Sequence, residues 1–353
     1  MISTLRRALC VVLFAASAVT GTSDAGATNR VTFSEKGVAI DFIGGTWAAK
    51  SDYLALRAQQ DAQLVRQLGG NAVSISFPIY TLGWRSDSVF AGLNPTGKYG
   101  TASPTIDQMA TVIRIFQSYN LRITLRPLMN EELLGTHWRG TIQPVDARQW
   151  FDAYRRTIRP YLVLAAQRHV AGFALQSELM DLAYSPQWLP TARWAAHLFP
   201  GTLVWDSTVN TLMAPAPLPS LQQWVDTYPP IPTAPTNATI EELVRGWNAF
   251  IKPLHVPGQP STSAIGEVGI LAQQGAFRLP SLHTLTTPFD QSVQSRWFNA
   301  ACLYASSHQY HRLYFWAMLL AAAPPSWTTP NTRYPMTFQP QGLRAIQSCF
   351  LRH

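Results

Sequence analysis

Two glutamates stand where chemistry is easiest to place. Glu178 lies in "FALQSEL" and Glu267 in "SAIGEVGI", each the only carboxylate of a short run of small and apolar residues. An unpaired charge inside a packed strand costs several kcal/mol or shifts its pKa to avoid ionising. A carboxylate placed where the strand leaves the core escapes that cost by facing a pocket mouth. Two such groups across one pocket are the minimal equipment for breaking a glycosidic bond. One protonates the leaving oxygen, and the other attacks the anomeric carbon or activates a water; the gap between them decides between retention and inversion.

The elements that must position them follow from the apolar pattern. The chain has 353 residues, 47% hydrophobic and 13% charged, enough for a large core. Short apolar strands are expected at 37–45, 71–80 (stopped by Pro78), 121–130, 170–179, 201–208, 222–230, 261–270 and 311–319. Helical patterns follow at 51–68, 103–120 with a Ser103-Pro104 start, 146–168, 191–198, 239–251, 290–307 and 341–350. Mostly continuous apolar strands alternating with helices imply a parallel sheet covered by helices. Eight such units close a (β/α)8 TIM barrel, a single α/β domain over residues 28–353. An open doubly wound sheet is the alternative, but no Gly-rich phosphate loop follows the first strand. In a barrel the C-terminal strand ends carry the chemistry, and Glu178 and Glu267 close strands four and seven.

Residues 1–27 read as a secretory signal peptide: Arg6 and Arg7, an apolar run, then Ala25-Gly26-Ala27 as a cleavage site. An uncleaved anchor is the alternative, and no later segment is long and apolar enough to span a bilayer. Cleavage removes Cys10 and leaves Cys302 and Cys349 on the last two helices, neighbours in a closed barrel. In an exported protein they are expected to form a disulfide, with two buried thiols as the alternative. The net charge of +8 comes from scattered basic residues, not the clusters that nucleic-acid binding uses. No histidine cluster falls at strand ends, so neither a metal nor another cofactor is expected. Aromatic residues at or past strand ends (Trp47, Trp84, Trp138, Trp205, Tyr228, Trp316) offer planes on which sugar rings stack, Trp316 foremost. His137, Asp206 and Asp226 are weaker candidates for binding hydroxyls.

The ordered set "FALQSEL", "WVDTYPPI", "SAIGEVGI", "DQSVQSRWFNAACLYA" and "LYFWAM", with the earlier "IGGTW" and "NAVSISFPIYT", resembles clan A glycoside hydrolases. Within that clan the set resembles glycoside hydrolase family 113, whose characterised members include β-mannanases. The resemblance implies a retaining double displacement, with Glu178 as acid/base and Glu267 as nucleophile. Glu267 then needs donors, for which Arg126 and Tyr228 are candidates, and Glu178 needs an apolar setting and the negative charge of Glu267. The chain departs from the pattern at Ser177, where clan members usually carry an Asn that helps hold the sugar's 2-hydroxyl. It also departs near Leu128, where related enzymes often have a histidine. Asn130-Glu131 imitates the acid/base motif one strand early, which makes Glu131 an alternative acid. The expectation is a secreted, monomeric glycoside hydrolase acting on a β-linked polysaccharide, mannan-like or from a cell envelope. A carbohydrate-binding barrel without catalysis and a transglycosidase are the alternatives.

Overall fold

Eight parallel strands close on themselves in chain order, β1-β2-β3-β4-β5-β6-β7-β8. They are β1 (Glu35–Asp41), β2 (Ala72–Ile79), β3 (Arg122–Met129), β4 (Gly172–Ser177), β5 (Thr202–Thr208), β6 (Gln222–Asp226), β7 (Ala264–Val268) and β8 (Arg312–Leu319). The computed structural model describes residues 31–45, 47–93, 102–208, 216–251 and 264–353. The expected signal peptide and Cys10 lie outside these residues, as do Ser261, Thr262 and Ser263. The outer layer is α1 (Ser51–Gln67), α2 (Ile106–Ser118), α3 (Ala147–Gln167), α4 (Trp188–Leu198), α5 (Ile240–Ile251), α6 (Ser292–Ser307) and α7 (Pro340–Arg352). This is the expected single (β/α)8 barrel. Among the described residues no helix separates β5 from β6.

Two-residue alternation divides every strand between helices and barrel interior. Val38, Ile40, Val73, Ile75, Phe77, Ile123 and Leu125 join the core under the helices, whereas Ala72, Ala174, Val204, Trp224, Ala264 and Tyr314 form a separate cluster inside the barrel. The barrel floor carries charge: Glu35 pairs with Arg122 at 2.8 Å and Arg312 at 3.0 Å and accepts from the Tyr314 hydroxyl. The interior is therefore packed below, leaving the upper ends of the strands as the place for a site.

Several boundaries differ from expectation, and three of the differences have a clear local cause. Strand β2 runs through Pro78 to Ile79. The missing N–H falls at the strand's upper end, where little ladder remains to be broken. Helix α2 is capped by Thr105 instead of Ser103-Pro104: its hydroxyl accepts from the Gln108 amide at 3.2 Å, and the Gln108 side chain accepts from the Thr105 N–H at 2.9 Å, a capping box. Helix α4 begins at Trp188, because Trp188 and Thr191 both belong to its buried face.

Cys302 on α6 and Cys349 on α7 form the expected disulfide, with Cα atoms 6.0 Å apart and a sequence separation of 47. Closing a loop of that length restrains the unfolded chain by about 4 kcal/mol in the chain-entropy account. Both thiols of the native chain are therefore expected to resist alkylation until it is reduced. Reduction is expected to lower the stability measured by urea unfolding by about 2–4 kcal/mol; alkylation without reduction would remove the bond.

Candidate active site

The site begins with a buried arginine. Arg126 is the upper inward position of β3 and is fully buried. An arginine does not deprotonate in proteins, so burial demands opposite charge within reach. Three carboxylates supply it, one from each of β5, β6 and β7. Nε donates to Asp206, Nη2 to Asp226 and Nη1 to Glu267. Glu267 is 8% exposed, and its other carboxylate oxygen accepts from the Tyr228 hydroxyl, just past β6. Both Glu267 oxygens are thus held by donors, an arrangement that suits a carboxylate. Burial drives both Asp226 and Asp206 above the usual carboxylate range, with Arg126 opposing the shift. Oδ1 of each lacks a donor, and both converge on the bare Cα of Gly266, lying 3.2 Å from the point a Cβ would occupy. A proton shared between the two aspartates would satisfy both oxygens and relieve the repulsion of three carboxylates around one cation.

The second glutamate is held differently. Glu178 follows β4 directly, in a left-handed backbone conformation (φ 58°) that side-chain-bearing residues seldom adopt. Gln176 braces this turn: its amide N–H donates to the Asp206 carbonyl, and its Oε1 accepts from the Leu179 N–H at 3.1 Å. One Glu178 oxygen accepts from Arg139 Nη1 at 2.9 Å, and Arg139 Nη2 pairs with Glu131, also at 2.9 Å. Arg139 comes from a short 3-10 turn (Arg139–Thr141) after β3. Burial pushes Glu178 up to about 7; Arg139 opposes this, and the negative charge of Glu267 adds to it.

Both glutamates line one cavity of about 630 Å³ at the C-terminal end of the barrel. Asp41, Asn130, Glu131, Trp138, Arg139, Asp226, Tyr228 and Trp316 share its wall. The wall beyond β7 is fixed by Gln294 of α6, whose buried amide donates to the carbonyls of Ile270 at 3.1 Å and Thr337 at 3.0 Å. Its Oε1 accepts from the Gln339 N–H at 2.8 Å. These bonds tie Ile270, after β7, to the segment before α7 that carries Met336, another wall residue.

The expected site residues divide accordingly. Glu178, Glu267, Tyr228 and Trp316 face the cavity, and Arg126 lies directly beneath it, bonded to Glu267. Trp205 is corrected: it alternates to the helix side of β5 and packs edge-on against Trp188 at 5.2 Å, 1% exposed. Ser177 is also corrected, since its hydroxyl is buried without a partner and it does not line the cavity. Trp47 lies off the cavity, edge-on to Phe42 and Tyr53. His137 stacks on Trp84 at 4.4 Å, which makes the pair a loop anchor. Glu131 is in the cavity and shares its arginine with Glu178, beside which it stands. Among the cavity residues not anticipated, two carry a formal charge. Asp41 is the last residue of β1 and could have been found by the strand-end rule that picked out the glutamates. Arg139 sits in an irregular loop and carries no comparable signal. Among the described residues no cluster of His, Cys, Asp and Glu fit to hold a metal ion occurs.

Comparison with known proteins fits this geometry. A GH113 β-1,4-mannanase in a complex superposes with a TM-score of 0.74 at 14% identity, over 91% of this chain and all of its own. The GH113 β-mannanase of Alicyclobacillus acidocaldarius superposes at 0.70 and 14% identity, covering 91% and 98% of the two chains. A further GH113 β-1,4-mannanase gives 0.70 at 15% identity, covering 91% and 100%. At such identities the likeness is one of fold. No protein of curated function matches significantly. The sequence model of glycoside hydrolase family 113 matches residues 45–334, most of the barrel and both glutamates. The chain therefore belongs to glycoside hydrolase family 113 and is a glycoside hydrolase.

Proposed function

We propose that this enzyme cleaves a β-linked, mannan-like polysaccharide with retention of configuration, Glu267 acting as nucleophile and Glu178 as acid/base. The observation that carries the proposal is the opposite setting of two glutamates in one cavity. Glu267 has donors on both oxygens, from Arg126 and Tyr228, whereas burial favours the protonated form of Glu178. A binding module has no use for that asymmetry, which favours turnover over mere binding. The substrate class draws on the mannanase neighbours, and Trp316 offers a platform for the sugar ring.

In the first step a Glu267 oxygen attacks the anomeric carbon as the bond to the leaving oxygen breaks. Glu178 passes its proton to that oxygen. The glycosyl ester on Glu267 is then hydrolysed by a water whose proton returns to Glu178, restoring both groups. Export fits the Cys302–Cys349 disulfide, and among the described residues no helix is long and apolar enough to cross a membrane.

Release of reducing sugar from a panel of β-mannans and β-glucans, with product analysis by NMR, tests the reading. Glu267→Gln is expected to abolish turnover with the fold intact. Glu178→Ala is expected to cost about 10²–10⁴-fold on polysaccharide. It should retain glycosylation of an aryl glycoside whose leaving group needs no proton. Near-full activity of Glu267→Gln, or an inverted first product, refutes the mechanism.

The acid form of Glu178 exists below its raised pKa of about 7 and is lost above it. The profile of kcat/KM should therefore fall on the alkaline side of about pH 7. Arg139 holds that value down, so Arg139→Gln should move the alkaline limb to higher pH. A limb that stays in place would show that another group controls it.

A further inference from the structure

Every other carboxylate lining the cavity has a partner in the protein. Glu267 and Asp226 bond to Arg126, and Glu178 and Glu131 bond to Arg139. Asp41 differs. It lines the same cavity, yet no described side chain or backbone group hydrogen-bonds to its carboxylate, and no described cation lies within ion-pair distance. A partly buried carboxylate without donors is costly. Its surroundings confirm the cost: burial first, then the charge of Glu267, push Asp41 up to about 7, while Arg139 and Arg126 act on it from beyond contact.

Its position suggests what completes it. Gly37 abuts the Tyr314 ring in the barrel interior, and Asp41 shares that two-residue parity on β1. The barrel order then sets three cavity groups on successive strands: Glu267 on β7, Trp316 on β8 and Asp41 on β1. The Trp316 ring lies against the backbone just past β7, its Cδ1 only 3.0 Å from where a Cβ on Gly269 would be. A sugar seated on Trp316 has Glu267 on one flank and Asp41 on the other.

We propose that Asp41 is a substrate-contacting residue, its carboxylate accepting hydrogen bonds from two neighbouring hydroxyls of the sugar that rests on Trp316 and turns its anomeric carbon to Glu267. The inference rests on the glycosidase reading above. A vicinal diol supplies two donors to the two oxygens of one carboxylate, which answers the missing donors without a cation. A sugar lacking one of these hydroxyls leaves Asp41 unsatisfied, so the residue selects for unsubstituted hydroxyls away from the scissile bond.

The test uses wild type, Asp41→Ala and the near-isosteric Asp41→Asn on aryl β-mannobiosides, the parent and a set each lacking one hydroxyl of the ring at the cleavage site. Both variants should melt as cooperatively as wild type and lose about 10- to 100-fold in kcat/KM, Asp41→Ala the more. One or two deoxy substrates should cost wild type a similar factor and cost Asp41→Ala nothing further, the coupling expected of a direct contact. Asp41→Ala within twofold of wild type overturns the proposal, as does an equal loss on every deoxy substrate in both enzymes. Calorimetry with mannotetraose in a Glu267→Gln background separates this proposal from the glycosidase reading. Binding that survives Asp41→Ala overturns the Asp41 contact alone, and binding lost with Asp41→Ala supports it whether or not the parent enzyme turns over. Neither turnover nor binding in any form overturns both.

Discussion

One buried guanidinium organises the upper half of this barrel. Arg126 cannot shed its charge, so the sequence must deliver carboxylates to it, and these come from three other strands. Asp206, Asp226 and Glu267 approach from β5, β6 and β7, and Arg126 itself comes from β3. The cluster thus pins the height at which four strands end and the direction in which the Glu267 carboxylate points. Removing the arginine would strand three buried acids, a far larger disturbance than the loss of one hydrogen bond. The near approach of Asp206 and Asp226 over Gly266 shows how closely the arrangement is built. A side chain at Gly266 would meet both acids and Trp224.

Much of this was legible in the sequence, because the signals concerned are local. Eight apolar runs with helical intervals define a closed barrel, and a lone carboxylate at the end of a buried run marks Glu178 and Glu267. The disulfide followed from two cysteines on consecutive helices. What failed was parity. Trp205 and Trp224 both sit on short apolar strands, and nothing in composition says which faces the helices. The answer depends on register: β5 presents Val204 and Asp206 inward and so turns Trp205 outward onto Trp188. The strand irregularities near Gln176, Asp226 and Glu267 shift such counting further.

Ser177 illustrates a different limit. The family likeness assigns its position a role through an asparagine it does not have, and in this chain the hydroxyl is buried and unpartnered. Gln176, one residue earlier, carries the amide, but it spends both ends on the Asp206 carbonyl and the Leu179 N–H. That amide holds the turn that presents Glu178 and is buried off the cavity wall. The irregular pairing of β4 with β5 between Ala174 and Gln176 decides which of the two side chains reaches which neighbour. No reading of residue types alone could have recovered it.

The two glutamates finally show how one kind of side chain is held in two opposite settings. Each meets an arginine, so the cation alone does not separate them. Arg126 is fully buried and fixed by two aspartates, and Tyr228 adds a second donor to Glu267. Arg139 is partly exposed, divides itself between Glu178 and the more exposed Glu131, and leaves the other Glu178 oxygen without a described donor. Desolvation then outweighs attraction at Glu178 and favours its proton, while Glu267 keeps a donor on each oxygen. The number of donors per carboxylate, more than the presence of positive charge, sets the two glutamates apart here.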